Sequence, residues 1–93
     1  MSKVSVHKHQ DGSGETRYFW CPGCEMVHGP DHTWGFNGDI ERPTFTPSIL
    51  CNANFPESRC HSYVTDGKIR FLDDCHHALK GQTVDLPDVP GWV

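Results

Sequence analysis

Cys21-Pro22-Gly23-Cys24 is the stretch on which the reading of this chain turns. Two thiols two residues apart, with Pro and Gly between them, close a tight loop that aims both sulfurs at one point. That is half of a tetrahedral zinc site. The C-terminal part offers the other half in Cys60-His61 and Cys75-His76-His77. The chain needs such a staple. It has 93 residues and only 35% apolar content, and a chain this short buries only roughly 60–65% of its unfolded surface. Seven Pro and nine Gly favour turns over long elements. Five cysteines cannot all pair within one chain, so thiolates on a metal in a reducing cytosol are expected in place of disulfides.

On the N-terminal side of the loop, residues 3–8 alternate and 16–20 are β-branched and aromatic, with a Gly-rich turn at 10–14. They read as a hairpin that runs into the metal knuckle. Beyond it, residues 34–38 read as a short strand, and Pro43 and Pro47 hold 42–50 extended and bar a helix there. Residues 60–73 give the clearest signal. Asp66-Gly67 is a two-residue hairpin turn. Centred there, the register pairs Thr65 with Lys68, Tyr63 with Arg70 and His61 with Leu72. Cys60, Ser62, Val64, Ile69 and Phe71 then share the core face, with Cys75 in phase. Asp73-Asp74 reads as a cap before a short helix, Cys75 to Lys80, stopped by Gly81. Residues 82–86 alternate and suit a last strand.

The expected metal ligands are Cys21, Cys24, Cys60 and Cys75, with His77 the main alternative for the last place and Zn2+ the expected ion. Cys51 follows two apolar residues and reads as a core or free thiol. Structural zinc sites bind with about 10–16 kcal/mol, more than the whole stability of many domains, about 5–15 kcal/mol. More polar residues surround this site than a structural metal needs: His28, His61, Asp74 and His76, with Asn37, Thr44 and Ser48 in Gly- and Pro-rich loops. A catalytic zinc keeps three protein ligands and a water. Cys21, Cys24 and Cys75 with His61 or Asp74 as base fit that scheme, with His28 a further candidate.

The net charge of −4 with scattered cations disfavours nucleic acid. No apolar run suits a membrane span or a signal peptide.

The run Cys21-Pro22-Gly23-Cys24 with His28, then Trp34 to Asp39, Arg42-Pro43-Thr44-Phe45-Thr46-Pro47-Ser48, Cys60 to Gly67, Ile69 to Leu79 and Gly81 to Val84 resembles a family of small proteins encoded mainly by tailed bacteriophages and prophages. That family often carries the label ammonia monooxygenase. Such chemistry needs a membrane-embedded copper enzyme, and this chain has neither a span nor a His-rich copper pattern. The resemblance implies a phage origin and places Cys21, Cys24, His28, Cys60, His61, Asp74, Cys75 and His77 at metal or site positions.

The expected fold is one domain over 1–93, compact over 3–87. It is a small mostly-β (α+β) zinc-stabilised unit of hairpins plus one short C-terminal helix, zinc-ribbon or treble-clef-like. The expected function is a phage accessory module in the host bacterial cytoplasm that binds a host or phage protein through Trp34, Phe36, Tyr63 or Trp92. The alternative is a small zinc-dependent hydrolase using His61 and Asp74 beside an open coordination position.

Overall fold

The computed structural model describes residues 2–93. Nine strands follow one another: β1 Ser5–Lys8, β2 Glu15–Cys21, β3 Met26–His28, β4 Gly35–Phe36, β5 Phe45–Thr46, β6 Ile49–Cys51, β7 Cys60–Thr65, β8 Lys68–Phe71 and β9 Thr83–Asp85. They form a three-stranded sheet in the order β1-β2-β3, a two-stranded ribbon of β4 and β5, and a four-stranded sheet in the order β6-β7-β8-β9. Every pairing is antiparallel.

The CPGC loop is the turn between β2 and β3. Cys21 pairs with Met26, the Glu25 amide donates to the Cys21 carbonyl at 2.8 Å, and Glu25 takes a φ of 55° to close the reversal. The β7–β8 hairpin has the expected register, with Thr65 opposite Lys68 and Tyr63 opposite Arg70. Asp66 and Gly67 both have positive φ, 51° and 79°, as the two central residues of a type I′ turn require.

Alternation sorts the four-stranded sheet into two faces. Cys60, Ser62, Val64, Ile69 and Phe71 point inward and are buried. Val4, Phe19, Phe45, Ile49 and Leu86 complete the core. Phe45 joins the layers: its ring stacks on Phe36 at 5.0 Å and on Phe19 at 6.0 Å. Burying each such ring contributes about 1.5–3 kcal/mol, and the apolar count is small, so the three buried cysteines among the core residues matter to the packing.

The expected helix from Cys75 to Lys80 is absent, and no helix occurs among the described residues. Turns carry the chain from Phe71 to Thr83, closed by bonds from the Cys75 amide to the Leu72 carbonyl and from the Lys80 amide to the His77 carbonyl, both 3.2 Å. The reason is geometric. Cys75 and His77 both approach Cys60, whereas residues two apart on a helix point about 200° away from each other. The fold is therefore all-β, and a treble clef, which ends in a helix, does not describe it.

Candidate active site and metal centre

Ser48 sits between Pro47 and the first residue of β6. His61 is the second residue of β7 and projects from the outer face, opposite Leu50. Asp74 lies in the turn after β8. These three side chains make a chain of hydrogen bonds. His61 Nε2 is 2.9 Å from Ser48 Oγ, and His61 Nδ1 is 3.2 Å from Asp74 Oδ2. An ionised carboxylate only accepts, so Nδ1 carries the proton and Nε2 is left to accept from the Ser48 hydroxyl. This is the tautomer in which an imidazole can take a proton from a nucleophile.

The ring of His61 is held on several sides. Tyr63 stacks on it at 6.5 Å. Its backbone is fixed from below by Cys75, whose Sγ accepts from the His61 amide at 3.2 Å and donates to the His61 carbonyl at 3.1 Å. That carbonyl also accepts from the Leu72 amide at 2.9 Å.

Beneath the triad lies a cluster of sulfur and imidazole groups. Ligand atoms of Cys21, Cys24, His28 and Cys60 all lie within 4.8 Å of one another. Two further sets of three meet the same criterion: Cys60, Cys75 and His77, and Cys24, His76 and His77. Cys21 Sγ and Cys60 Sγ are 3.9 Å apart, close to the separation of two sulfurs each about 2.3 Å from a tetrahedral zinc. The cluster is thus positioned for a metal ion. All five cysteines are free thiols.

Two observations of the donor set fit a metal. His28 Nε2 and His77 Nδ1 are buried with no hydrogen-bond partner among the described residues, a costly state that coordination would relieve. His28 Nδ1 meanwhile lies 3.3 Å from Cys51 Sγ, an outer contact of the kind that orients a ligating imidazole. The electrostatics of the cluster set one thiolate against one imidazolium. A hydrogen bond from the Cys60 thiol holds Cys21 down at about 3 against the effect of burial, and the same bond pushes Cys60 up. Burial pushes Cys24 up to about 12. Burial would lower His28, but the neighbouring sulfurs of Cys21 and Cys51 raise it to about 9.

The structure therefore brings Cys21, Cys24 and Cys60 together as one group and adds His28 to it. It sets Cys75 and His77 against Cys60, and Cys75 also contacts the His61 backbone. Gly23 makes room for this: a Cβ there would lie 2.2 Å from His77 Cε1. His61 and Asp74, read from the sequence as bases near the metal, contact each other, and His61 also contacts Ser48.

Residues 1–72 match the sequence profile of the family described as bacterial ubiquitination-like system serine protease, BubE. The chain belongs to the BubE family. The match includes Ser48 and His61 and stops two residues short of Asp74. No curated protein matches the chain, and no solved structure does. The BubE match overturns the expectation of a phage-encoded accessory binding module, because the family is defined by a protease of a bacterial system. The hydrolase alternative is the closer one.

Sequence reasoning missed the contact between Ser48 and His61. It placed the serine in a Pro-rich loop and did not pair 49–51 with β7. The signal was available in the register: continuing the β7 alternation onto a neighbouring strand puts Ser48 on the same outer face as His61.

Proposed function

We propose that this chain is a serine hydrolase of the BubE type that cleaves acyl bonds in proteins of a bacterial ubiquitination-like system. The observation that carries the reading is the Ser48–His61–Asp74 hydrogen-bond chain, on a chain whose family is described as a serine protease. In this reading Ser48 Oγ attacks the scissile carbonyl while His61 Nε2 takes its proton. Asp74 holds the imidazole in the required tautomer and stabilises the imidazolium that forms. His61 then returns the proton to the leaving group, and an acyl-Ser48 ester remains for hydrolysis.

The metal proposed for the cysteine cluster is zinc, held by Cys21, Cys24 and Cys60 with His28 or His77 as the fourth ligand. When bound, a zinc ion in such a site supplies folding energy. The residues that do chemistry are on the outer face, and those that would hold zinc are beneath it. Cys60 precedes His61 and Cys75 follows Asp74, so the cluster fixes both partners of Ser48.

A fluorophosphonate probe tests the nucleophile. It should attach to Ser48, located by peptide mass spectrometry, and the adduct should vanish in Ser48→Ala and fall steeply in His61→Ala. No adduct on Ser48 in the folded, metal-replete protein would reject the reading.

A further inference from the structure

We propose that the outer face of the four-stranded sheet selects an acidic side chain of an extended peptide substrate, through Arg70. This deepens the serine-hydrolase reading and rests on Ser48 as the attacking residue. Ile49 pairs with Ser62, so one step back along the register sets Ser48 opposite Tyr63. Tyr63 is paired with Arg70, and Arg70 with Thr83. Ser48, Tyr63, Arg70 and Thr83 thus form one row across the sheet, on the face away from the core.

That face carries an open groove of about 510 Å³, lined by Tyr63, Thr65, Asp66, Lys68, Arg70 and Thr83. Tyr63 links this groove to the triad, because its ring stacks on His61. The charges in the groove are not equivalent. Lys68 is engaged by Asp85 at 2.6 Å, and Asp66 sits out at the hairpin turn. Among the described residues Arg70 has no ion-pair or side-chain hydrogen-bond partner. In a chain of net charge −4, an unpaired guanidinium two strands from Ser48 fits a carboxylate, which it can grip with two parallel hydrogen bonds.

Spacing sets where that carboxylate falls. Neighbouring strands lie about 4.8 Å apart, so two strand steps from Ser48 to Arg70 cover about 10 Å, or about three residues of extended peptide. Tyr63 lies between them and offers an aromatic surface to the intervening residues. The substrate class is therefore an extended peptide with Asp or Glu about three residues from the bond that Ser48 attacks.

The test uses the full-length, zinc-loaded Ser48→Ala protein, so that peptide binds without turnover. Fluorescein-labelled ten-residue peptides of otherwise identical Gly/Ser/Leu sequence carry Glu, Gln or Lys at one central position, and binding is read by fluorescence anisotropy. The Glu peptide should bind at least tenfold more tightly than the Gln and Lys peptides. Adding Arg70→Glu should reverse the order, and adding Arg70→Lys should keep it. Circular dichroism melts confirm that these surface variants fold, and Arg70→Gln replaces Arg70→Glu if the latter melts early. Equal affinity for the three peptides overturns the proposal, as does a Glu preference that survives loss of Arg70. Failure of the nucleophile reading shows separately, as absence of fluorophosphonate labelling at Ser48 while the peptide order is still measured.

Discussion

Cys75 grips the backbone of His61 at both ends: its sulfur accepts from the His61 amide at 3.2 Å and donates to the His61 carbonyl at 3.1 Å. The metal cluster and the triad therefore touch through one thiol, and the position of the imidazole depends on it. Cys75→Ala should leave the amide of a half-buried residue unsatisfied, at a cost of about 1–3 kcal/mol, and should lower kcat. Cys75→Ser keeps both hydrogen bonds and should recover most of kcat if Cys75 acts by positioning. If Cys75 is instead a metal ligand, Ser will lower zinc content as Ala does. Metal analysis alongside kinetics separates the two.

In the serine-hydrolase reading Asp74 contributes through tautomer and charge. Asp74→Asn preserves shape but can donate to His61 Nδ1, which leaves the wrong nitrogen protonated. The expected loss is about 10⁴-fold in kcat, by analogy with other serine triads, with little change in melting temperature because Asp74 is exposed. Ester turnover and a thermal melt on the same preparation check both halves.

Chelation should unfold the protein. The apolar core is thin, and a zinc site of this kind is worth about 10–16 kcal/mol. Native mass spectrometry should show a bound zinc, and dialysis against a strong chelator should abolish the cooperative melt, with recovery on adding zinc. Acid should act in the same direction, since protons compete with the metal for the thiolates. An unchanged melt after complete metal removal would refute a structural role.

Gly23→Ala should destabilise by about 1–3 kcal/mol, because the new methyl must displace the His77 ring. The ring is packed edge-on against Phe71 at 4.5 Å, so it has little room to retreat. In a His77→Ala background the same change should cost much less, and the difference, measured by denaturant unfolding, is the coupling between the two residues.

Ser62 is fully buried and its hydroxyl has no partner among the described residues. Ser62→Ala removes that unsatisfied group and should raise the melting temperature. A fall would show that the hydroxyl finds a partner in solution.

The β7–β8 hairpin was legible because the Asp66-Gly67 turn and strict alternation fix a register together, and one correct register assigns every inward residue. The gathering of Cys21, Cys24 and Cys60 was legible because candidate metal ligands announce themselves by residue type and spacing. The segment after Phe71 was not. Asp73-Asp74 followed by a run ending at Gly81 carries real helix-boundary signals, but Cys75 and His77 are both drawn toward Cys60, and that tertiary demand overrides local propensity. Ser48 was missed for a different reason. A serine has no spacing signature, and its role exists only once β6 is laid beside β7. The polar residues His61 and Asp74 were noticed, but without Ser48 they were assigned to the metal.

Cys60-His61 and Asp74-Cys75 join the two halves of the molecule residue by residue. A single inserted residue at the first junction would turn the imidazole through the sheet to the opposite side, and the same insertion at the second would swing the carboxylate out of reach. Catalytic competence should thus report on metallation, and drift in the lengths of these two segments should be far less tolerated than drift in the loop from Asn52 to Arg59.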